Sequence, residues 1–337
     1  MTSIPSQMLA ARLLAYDGKP ESLAVAEIAV PRPGPGEVLV RMHAAPINPS
    51  DLLFLGGHYG FQKPLPAIPG FEGSGTVVAA GSGMLATLLM GRRVACTAAD
   101  ANVASGTWAE YLVTSARLCV PLQKHVDMEL GATMLVNPLM AWALMDEARR
   151  GRHRSVVQTA AASALGKMVI RLGRRFSIPV INVVRRADQV RLLQEIGAEH
   201  VLDSSAPDFD ARLREQCRRL GATIGFDAVA GEMSERMVRA QPKGSRVIVY
   251  GRLSQAPMQL EAGPLIFENK SVAGLYLSDW MRERHLLRQL LIAGQVQRLL
   301  ASDLKTDIRA RYPMKDVSRA LADYTARMTA GKVLLTA

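Results

Sequence analysis

From about Asp127 the chain alternates short β-branched runs with helical patterns of roughly 10 to 15 residues, the arrangement that βαβ units and a parallel sheet require. The runs read as strands are SVVQT (Ser155 to Thr159), PVINVV (Pro179 to Val184), HVLD (His200 to Asp203), TIGFDAV (Thr223 to Val229), SRVIVYG (Ser245 to Gly251) and KSVAGLYL (Lys270 to Leu277). Between them, LGKMVIRLGRRF and ADQVRLLQEIGA carry the apolar period of helices, the second closing on Gly197 at a C-cap position.

The first third is different. EVLVRMHAAPIN (Glu37 to Asn48) alternates inward and outward residues before it meets Pro46 and Pro49. GSGTVVAAGSG (Gly73 to Gly83), RRVACTA (Arg92 to Ala98) and GTWAEYLVT (Gly106 to Thr114) follow as further strands bounded by turn residues, which together describe a small, partly closed β-domain. After Leu277 the alternation stops. A long amphipathic helix from Ser278 to about Ala301 and a second from Met314 to about Ala330 precede a closing strand, KVLLT, with no partner nearby. A strand so placed returns to an earlier sheet. The expected division is therefore a discontinuous β-rich domain, 1–126 and 278–337, around a doubly wound α/β domain, 127–277.

The first βα turn of a doubly wound sheet is where a pyrophosphate sits, on the N-terminus of the next helix. Here it reads QTAAASALGKMVIRLG (Gln158 to Gly173), without the full G-x-G-x-x-G fingerprint. Small residues run from Ala160 through Ala164, Gly166 holds the helix-packing position, and Ser163 offers a hydroxyl donor. A helix start that merely needs close packing would read the same way. The second strand adds to this. It ends NVVRRADQ, with Arg185 and Arg186 where an NAD-preferring site carries an acid, so a 2′-phosphate, and hence NADPH, is expected. The alternative is an arginine pair that caps a strand in a basic protein.

Lys and Arg exceed Asp and Glu by 41 to 30, a net charge of +11 that attracts polyanions such as nucleic acid, coenzyme A, acidic carrier proteins and NADPH. The charge is densest in RRGRHR (Arg149 to Arg154) and between Arg171 and Arg191, with no interleaved aromatics, helix-turn-helix or RNA-binding signature, so nucleic acid is disfavoured. The most apolar segment, LGATMLVNPLMAWALM (Leu130 to Met145), is broken by Asn137-Pro138 and too short for a bilayer; a buried helix or two is expected, and no membrane span. The first strand-like segment begins around Ala11, leaving no room for a removable signal or transit peptide. Cys96, Cys119 and Cys217 form no CxxC pair and are odd in number, which fits a reducing cytoplasm and gives neither a disulfide framework nor a zinc knuckle.

With these features in place, the chain resembles the medium-chain dehydrogenase/reductase superfamily over nearly its whole length. Within it, the chain is most similar to the NADPH-dependent 2-enoyl thioester reductases of the mitochondrial trans-2-enoyl-CoA reductase type. The stretches that carry the likeness are INPSDLLFLGGHYG, PAIPGFEGSGTVVAAGS, GTWAEYLV, LVNPLMAW, PVINVVRR, LGAEHVLD, VIVYGRLS, PLIFENKSVAGLYLSDW and GKVLLT. The resemblance implies a GroES-like catalytic domain, a Rossmann domain and a return to the first. Zinc enzymes of the superfamily place a cysteine where this chain has Asn48 and a histidine where it has Phe71, within GFEG; neither can serve, and the four-cysteine structural lobe is missing, so no metal is expected.

In the enoyl reductases the tyrosine matching Tyr59, in Gly57-His58-Tyr59-Gly60, is the proton donor. A phenol with an ordinary pKa near 10 stays protonated at neutral pH and can donate without tuning. A ring packed on a glycine-rich loop is the alternative. Carried over one position at a time, Asn137 would bond near the nicotinamide, and Ala162, Ser163, Ala164 and Leu165 would form the pyrophosphate turn. Arg185, Arg186 and Ala187 would hold the 2′-phosphate. Tyr250, Gly251, Arg252 and Leu253 would lie beside the nicotinamide, Leu275, Tyr276 and Leu277 would cover it, and Lys332 would reach in from the C-terminus. Sheet core or a dimer edge is the plainer role for Leu275 and Leu277, and a solvated charge for Lys332. Asn48 and Trp280 are expected at the substrate, with helix-start packing the alternative for Trp280. Departures are the missing central glycines of the phosphate turn and Arg252, where relatives commonly have glycine.

The reaction implied is reduction of the C=C bond of an enoyl-CoA or enoyl-acyl-carrier-protein thioester, by a homodimer formed through the Rossmann sheet edge. An NADPH:quinone oxidoreductase shares the fold, the metal-free site and INPSD. A non-catalytic NADPH-binding or RNA-binding relative is the third alternative.

Overall fold

The structure is a computed structural model that describes residues 4–98 and 105–337. The chain divides into two compact units, one of residues 1–137, 293–301 and 305–337, the other of 138–292 and 302–304. The expected boundaries move accordingly: the helix Met128–Ala132 lies with the first unit, and residues 278–292 lie with the second.

In the first unit, β1 (Gln7–Leu13) and β2 (Leu23–Ala29) form an antiparallel ribbon. β3 (Glu37–Pro46) is the hub: it pairs antiparallel with β4 (Glu72–Ala80) along one edge and with β6 (Tyr111–Ser115) over its N-terminal half. β5 (Arg93–Thr97) lies beside β4, and β7 (Cys119–Pro121) beside β5. That register sets Cys96 opposite Cys119, so two cysteines distant in sequence become cross-strand neighbours; both are free and buried.

The second unit holds β8 (Ser155–Gln158), β9 (Val180–Val184), β10 (His200–Asp203), β11 (Ala222–Asp227), β12 (Arg246–Val249) and β13 (Ser271–Gly274). All neighbours are parallel, in the order β10-β9-β8-β11-β12-β13, a doubly wound sheet whose order reverses between β8 and β11. The interior strands β8 and β9 are buried on both faces, which is why they read as valine- and isoleucine-rich runs rather than as alternating ones, with Gln158 Nε2 donating to Asn182 Oδ1 between them. The helices Ala164–Arg175 and Ala187–Glu195 fill the crossovers as expected, with Gly197 in the left-handed region at φ +80°.

The chain then returns. β14 (Ile308–Pro313) runs parallel to β15 (Lys332–Thr336), and β15 pairs antiparallel with β3, Leu334 opposite Pro46. Two long helical expectations are corrected. The segment from Ser278 is two helices, Leu277–Arg282 and Leu286–Leu299, because Gln289 Nε2 donates to the carbonyls of Met281 and Arg284 and so satisfies the first helix's end. From Met314 a 3₁₀ turn leads into a helix confined to Val317–Ala326. The apolar segment from Leu130 forms the end of one buried helix and the start of another, Asn137–Arg150. Among the described residues, no helix is long and apolar enough to cross a membrane.

Candidate active site

In the first unit the loop after the helix Pro49–Leu55 delivers Tyr59, half-buried, onto Phe71. The two rings stack with centroids 4.5 Å apart and planes 30° from parallel, while Phe61 meets Tyr59 edge-on at 5.1 Å. Phe54 in turn meets Phe71 edge-on at 5.4 Å, so Tyr59 rests on an aromatic floor. Phe71 offers no lone pair and its face is covered by the phenol ring. The side chain of Asn48 is committed elsewhere. These two positions do not fit a catalytic metal.

Asn48 belongs to a buried polar cluster that the sequence alone did not disclose. Asn48, Asp51, Glu72 and Lys332 are all at most 3% exposed, yet they come from the mouth of one helix, from β4 and from β15. Asn48 Nδ2 donates to Glu72 Oε1 at 2.9 Å, and Lys332 Nζ donates to Asn48 Oδ1 and to the Ile47 carbonyl. Asp51 Oδ2 accepts the Asn48 backbone N–H at 2.7 Å, whereas its Oδ1 makes no hydrogen bond of good geometry among the described residues. Glu72 Oε2 accepts the backbone N–H groups of Leu135 and Val136, each at 2.9 Å. Burial pushes Asp51 up to about 7 and raises Glu72, although the Lys332 ammonium opposes both shifts. Burial likewise brings Lys332 down to about 8, against the pull of Glu72 and Asp51. Asn48 could have been read as a helix N-cap from N-P-S-D, with proline at the first helical position and an acid three residues on. Nothing in the sequence marked Glu72 or Lys332 as buried charges.

Asn137 differs from Asn48: it is half-buried, and its amide makes no hydrogen bond to the protein among the described residues. Lys332, expected at the cofactor, and Asn48, expected at the substrate, have polar atoms bonded within the first unit.

In the second unit the turn after β8 has the features that a dinucleotide needs. Ser163 is the N-cap of Ala164–Arg175: its Oγ accepts the Gly166 N–H at 3.0 Å and keeps its own proton to donate. A Cβ on Gly166 would lie 2.4 Å from the Ala161 carbonyl, so only glycine lets the helix close on the turn. Ala160 takes φ +48°, where the missing fingerprint glycine would sit unstrained. Ala162 and Leu165 are buried, and Ser163 and Ala164 are half-exposed at the helix mouth. Arg185, Arg186 and Ala187 are exposed at the end of β9; Arg186 pairs with Asp188 at 3.1 Å, while the Arg185 guanidinium makes no hydrogen bond or ion pair among the described residues. Two exposed guanidinium groups at a helix N-terminus suit a phosphate, and these residues fit a phosphorylated dinucleotide.

The strands stop short of their expected ends here because the chain turns. The Tyr250 N–H bonds to the Asp227 carbonyl and the Leu253 N–H to that of Ala228, tying residues 250–253 to the loop after β11. Gly251 lies so close to that loop that a Cβ would meet the Ala228 carbonyl at 2.8 Å. Buried Asp227 organises the loop: its Oδ1 accepts from Thr159 Oγ1, Val229 N and Ala230 N, and its Oδ2 from Ser234 Oγ. Arg252 and Leu253 are exposed; Leu275, Tyr276 and Leu277 are half-buried to exposed just after β13. Trp280 is 5% exposed, its indole N–H donating to Glu147 Oε1 at 2.9 Å and its face covered by the Arg284 guanidinium at 3.5 Å.

Comparison with known proteins agrees with this architecture. Residues 34–124 match the alcohol dehydrogenase GroES-like domain, and residues 164–291 match the zinc-binding dehydrogenase family. The mitochondrial enoyl-acyl-carrier-protein reductase of Xenopus tropicalis is 30% identical over 346 aligned positions, covering 98% of this chain and 97% of the relative. A Mesorhizobium loti protein described as a candidate NADPH:quinone reductase superposes over the whole of both chains with a TM-score of 0.91 and 38% identity. A mycobacterial protein in complex with NADPH superposes over 98% of this chain and 100% of its own, with a TM-score of 0.83 and 26% identity. The chain is an oxidoreductase built from a GroES-like and a Rossmann-type unit. It belongs to the medium-chain dehydrogenase/reductase superfamily.

Proposed function

We propose that the protein reduces the C=C bond of a 2-enoyl thioester, with Tyr59 as the proton donor. The observation that carries this reading is the phenol of Tyr59 stacked on Phe71, the residue that stands where zinc enzymes of the superfamily place a histidine. The Ser163 turn and the Arg185–Arg186 pair would hold NADPH, which would supply the hydride for the β-carbon. The π pair moves to the α-carbon and carbonyl as an enolate, and the Tyr59 hydroxyl gives its proton to the α-carbon to complete the saturated thioester. Reprotonation of Tyr59 from water closes the cycle. The name and near-complete coverage of the Xenopus relative support an enoyl thioester of coenzyme A or acyl carrier protein as substrate, and the net charge of +11 suits either acidic carrier.

A second reading, NADPH:quinone reduction, is favoured by the likeness to the Mesorhizobium loti protein at 38% identity. NADPH oxidation with crotonyl-CoA against benzoquinone, repeated on Tyr59→Phe, decides between them. Fast enoyl-CoA turnover that Tyr59→Phe slows by about a hundredfold or more supports the first. Turnover of quinone alone, unaffected by Tyr59→Phe, moves the protein to the second. We further propose a cytoplasmic homodimer joined along β13, the strand at the end of the Rossmann sheet, which sedimentation at micromolar concentration would detect.

A further inference from the structure

We infer that Glu72 is a positioning residue that pins the two peptides just before Asn137 and so helps to place that residue. The inference rests on the reading above for the role of Asn137 at the nicotinamide, but the pinning itself is a matter of the first unit alone.

Glu72 opens β4 directly after Phe71, and the two side chains enter different surroundings. One supports the Tyr59 ring, and the other enters the buried polar cluster. There Oε2 takes two backbone donors at once, Leu135 N–H and Val136 N–H, both at 2.9 Å. These are the two amides immediately before Asn137. With both bound to one oxygen, the Met134–Leu135 and Leu135–Val136 peptides are held in place, which restricts where Val136 can deliver Asn137, the first residue of the next helix.

The other oxygen is anchored to the Nδ2 of Asn48, whose Oδ1 is held by the Lys332 ammonium. Asp51, the remaining charged group facing the cluster, bonds the Asn48 backbone N–H and so fixes that residue from its own side. Glu72 thus cannot turn towards a different partner. Charge-assisted bonds to two backbone donors are the arrangement that a neutral side chain reproduces least well. A glutamine would have to choose which end keeps an oxygen, and its amide group would then face Asn48 Nδ2 donor to donor. By contrast, the Asn137 amide bonds no group among the described residues and is left to bind a ligand.

Amide hydrogen exchange followed by NMR tests the pinning without any cofactor. In the wild-type protein, Leu135 and Val136 N–H are expected to exchange at least about a hundredfold more slowly than unprotected amides, and Glu72→Gln to accelerate both by about tenfold or more, with the amides of β3 unchanged. Unprotected exchange in the wild type, or no acceleration in the variant, overturns the inference; the wild-type arm stands even if the variant does not fold. Kinetics then test the link to Asn137. Glu72→Gln and Asn137→Ala should each lower kcat/KM for NADPH by about tenfold to a hundredfold and enlarge the isotope effect from 4-deuterated NADPH, and the double variant should be no worse than the worse single one. Multiplicative losses overturn the inference, because they would mean that Glu72 acts independently of Asn137. Accelerated exchange with unchanged kinetics in Asn137→Ala upholds the pinning and places the failure in the functional reading instead.

Discussion

Lys332→Met removes the only cation from a cluster that holds two buried acids, and its cost can be estimated from the structure. Lys332 sits 3% exposed between the Ile47 carbonyl and Asn48, and burial brings it from 10.5 down to about 8 even against the pull of Glu72 and Asp51, so its charged form is held there at a cost. Methionine, of similar length, returns that cost. What it leaves behind is worse: Asp51 and Glu72 lose the ammonium that opposed their burial, and Asn48 Oδ1 loses its donor. Removing one partner from a buried ionic group typically costs about 3–5 kcal/mol net, a fall in Tm of roughly 6–20 °C for a unit of this size.

The sign of the pH dependence follows from the carboxyls. An acid whose folded pKa lies above its unfolded value near 4 takes up a proton on folding, so it destabilises increasingly as pH rises from about 4 to the folded value. Asp51 already has a folded value of about 7, and loss of Lys332 raises both acids further. The deficit of Lys332→Met should therefore be largest near pH 8 and shrink towards pH 5, where Asp51 is protonated. Urea unfolding at the two pH values measures it. A deficit below about 1 kcal/mol at pH 8, or one that grows on acidification, would refute the argument.

Two other outcomes are expected. Arg185→Ala combined with Arg186→Ala should raise the KM for NADPH by about tenfold to a hundredfold while changing that for NADH little, since charge-assisted bonds of about 1.5–3 kcal/mol would be lost only with the 2′-phosphate; equal effects on both cofactors would place that phosphate elsewhere. Ala160→Gly should stabilise the protein by about 0.5–1 kcal/mol by relieving φ +48°, a rise of a few degrees in Tm, and a fall in Tm would show that the left-handed alanine carries no strain.

The parallel sheet was legible because its interior strands are buried on both faces, so Val156, Val157, Ile181 and Val183 stand out as apolar runs whatever surrounds them. Tyr59 and Phe71 are legible because each stands in a short local motif, GGHYG and GFEG. The buried cluster was not. Glu72 and Lys332 lie far apart in sequence and meet only because β15 returns to β3, and an acid inside GFEG looks like any surface acid until the fold closes over it. The register that sets Cys96 against Cys119 is invisible for the same reason. The break at Glu283–His285 escaped notice because Gln289, which satisfies the carbonyls there, is also a good helix former.

The central claim is that Tyr59 protonates the α-carbon of an enoyl thioester after hydride addition. Mass spectrometry of the product formed from crotonyl-CoA and unlabelled NADPH in D2O tests it most directly. One deuterium at the α-carbon, none at the β-carbon, and a rate of formation about a hundredfold lower in Tyr59→Phe are the expected result. Labelled butyryl-CoA formed at an undiminished rate by Tyr59→Phe, or no saturated product at all while NADPH is oxidised by quinone, would contradict it.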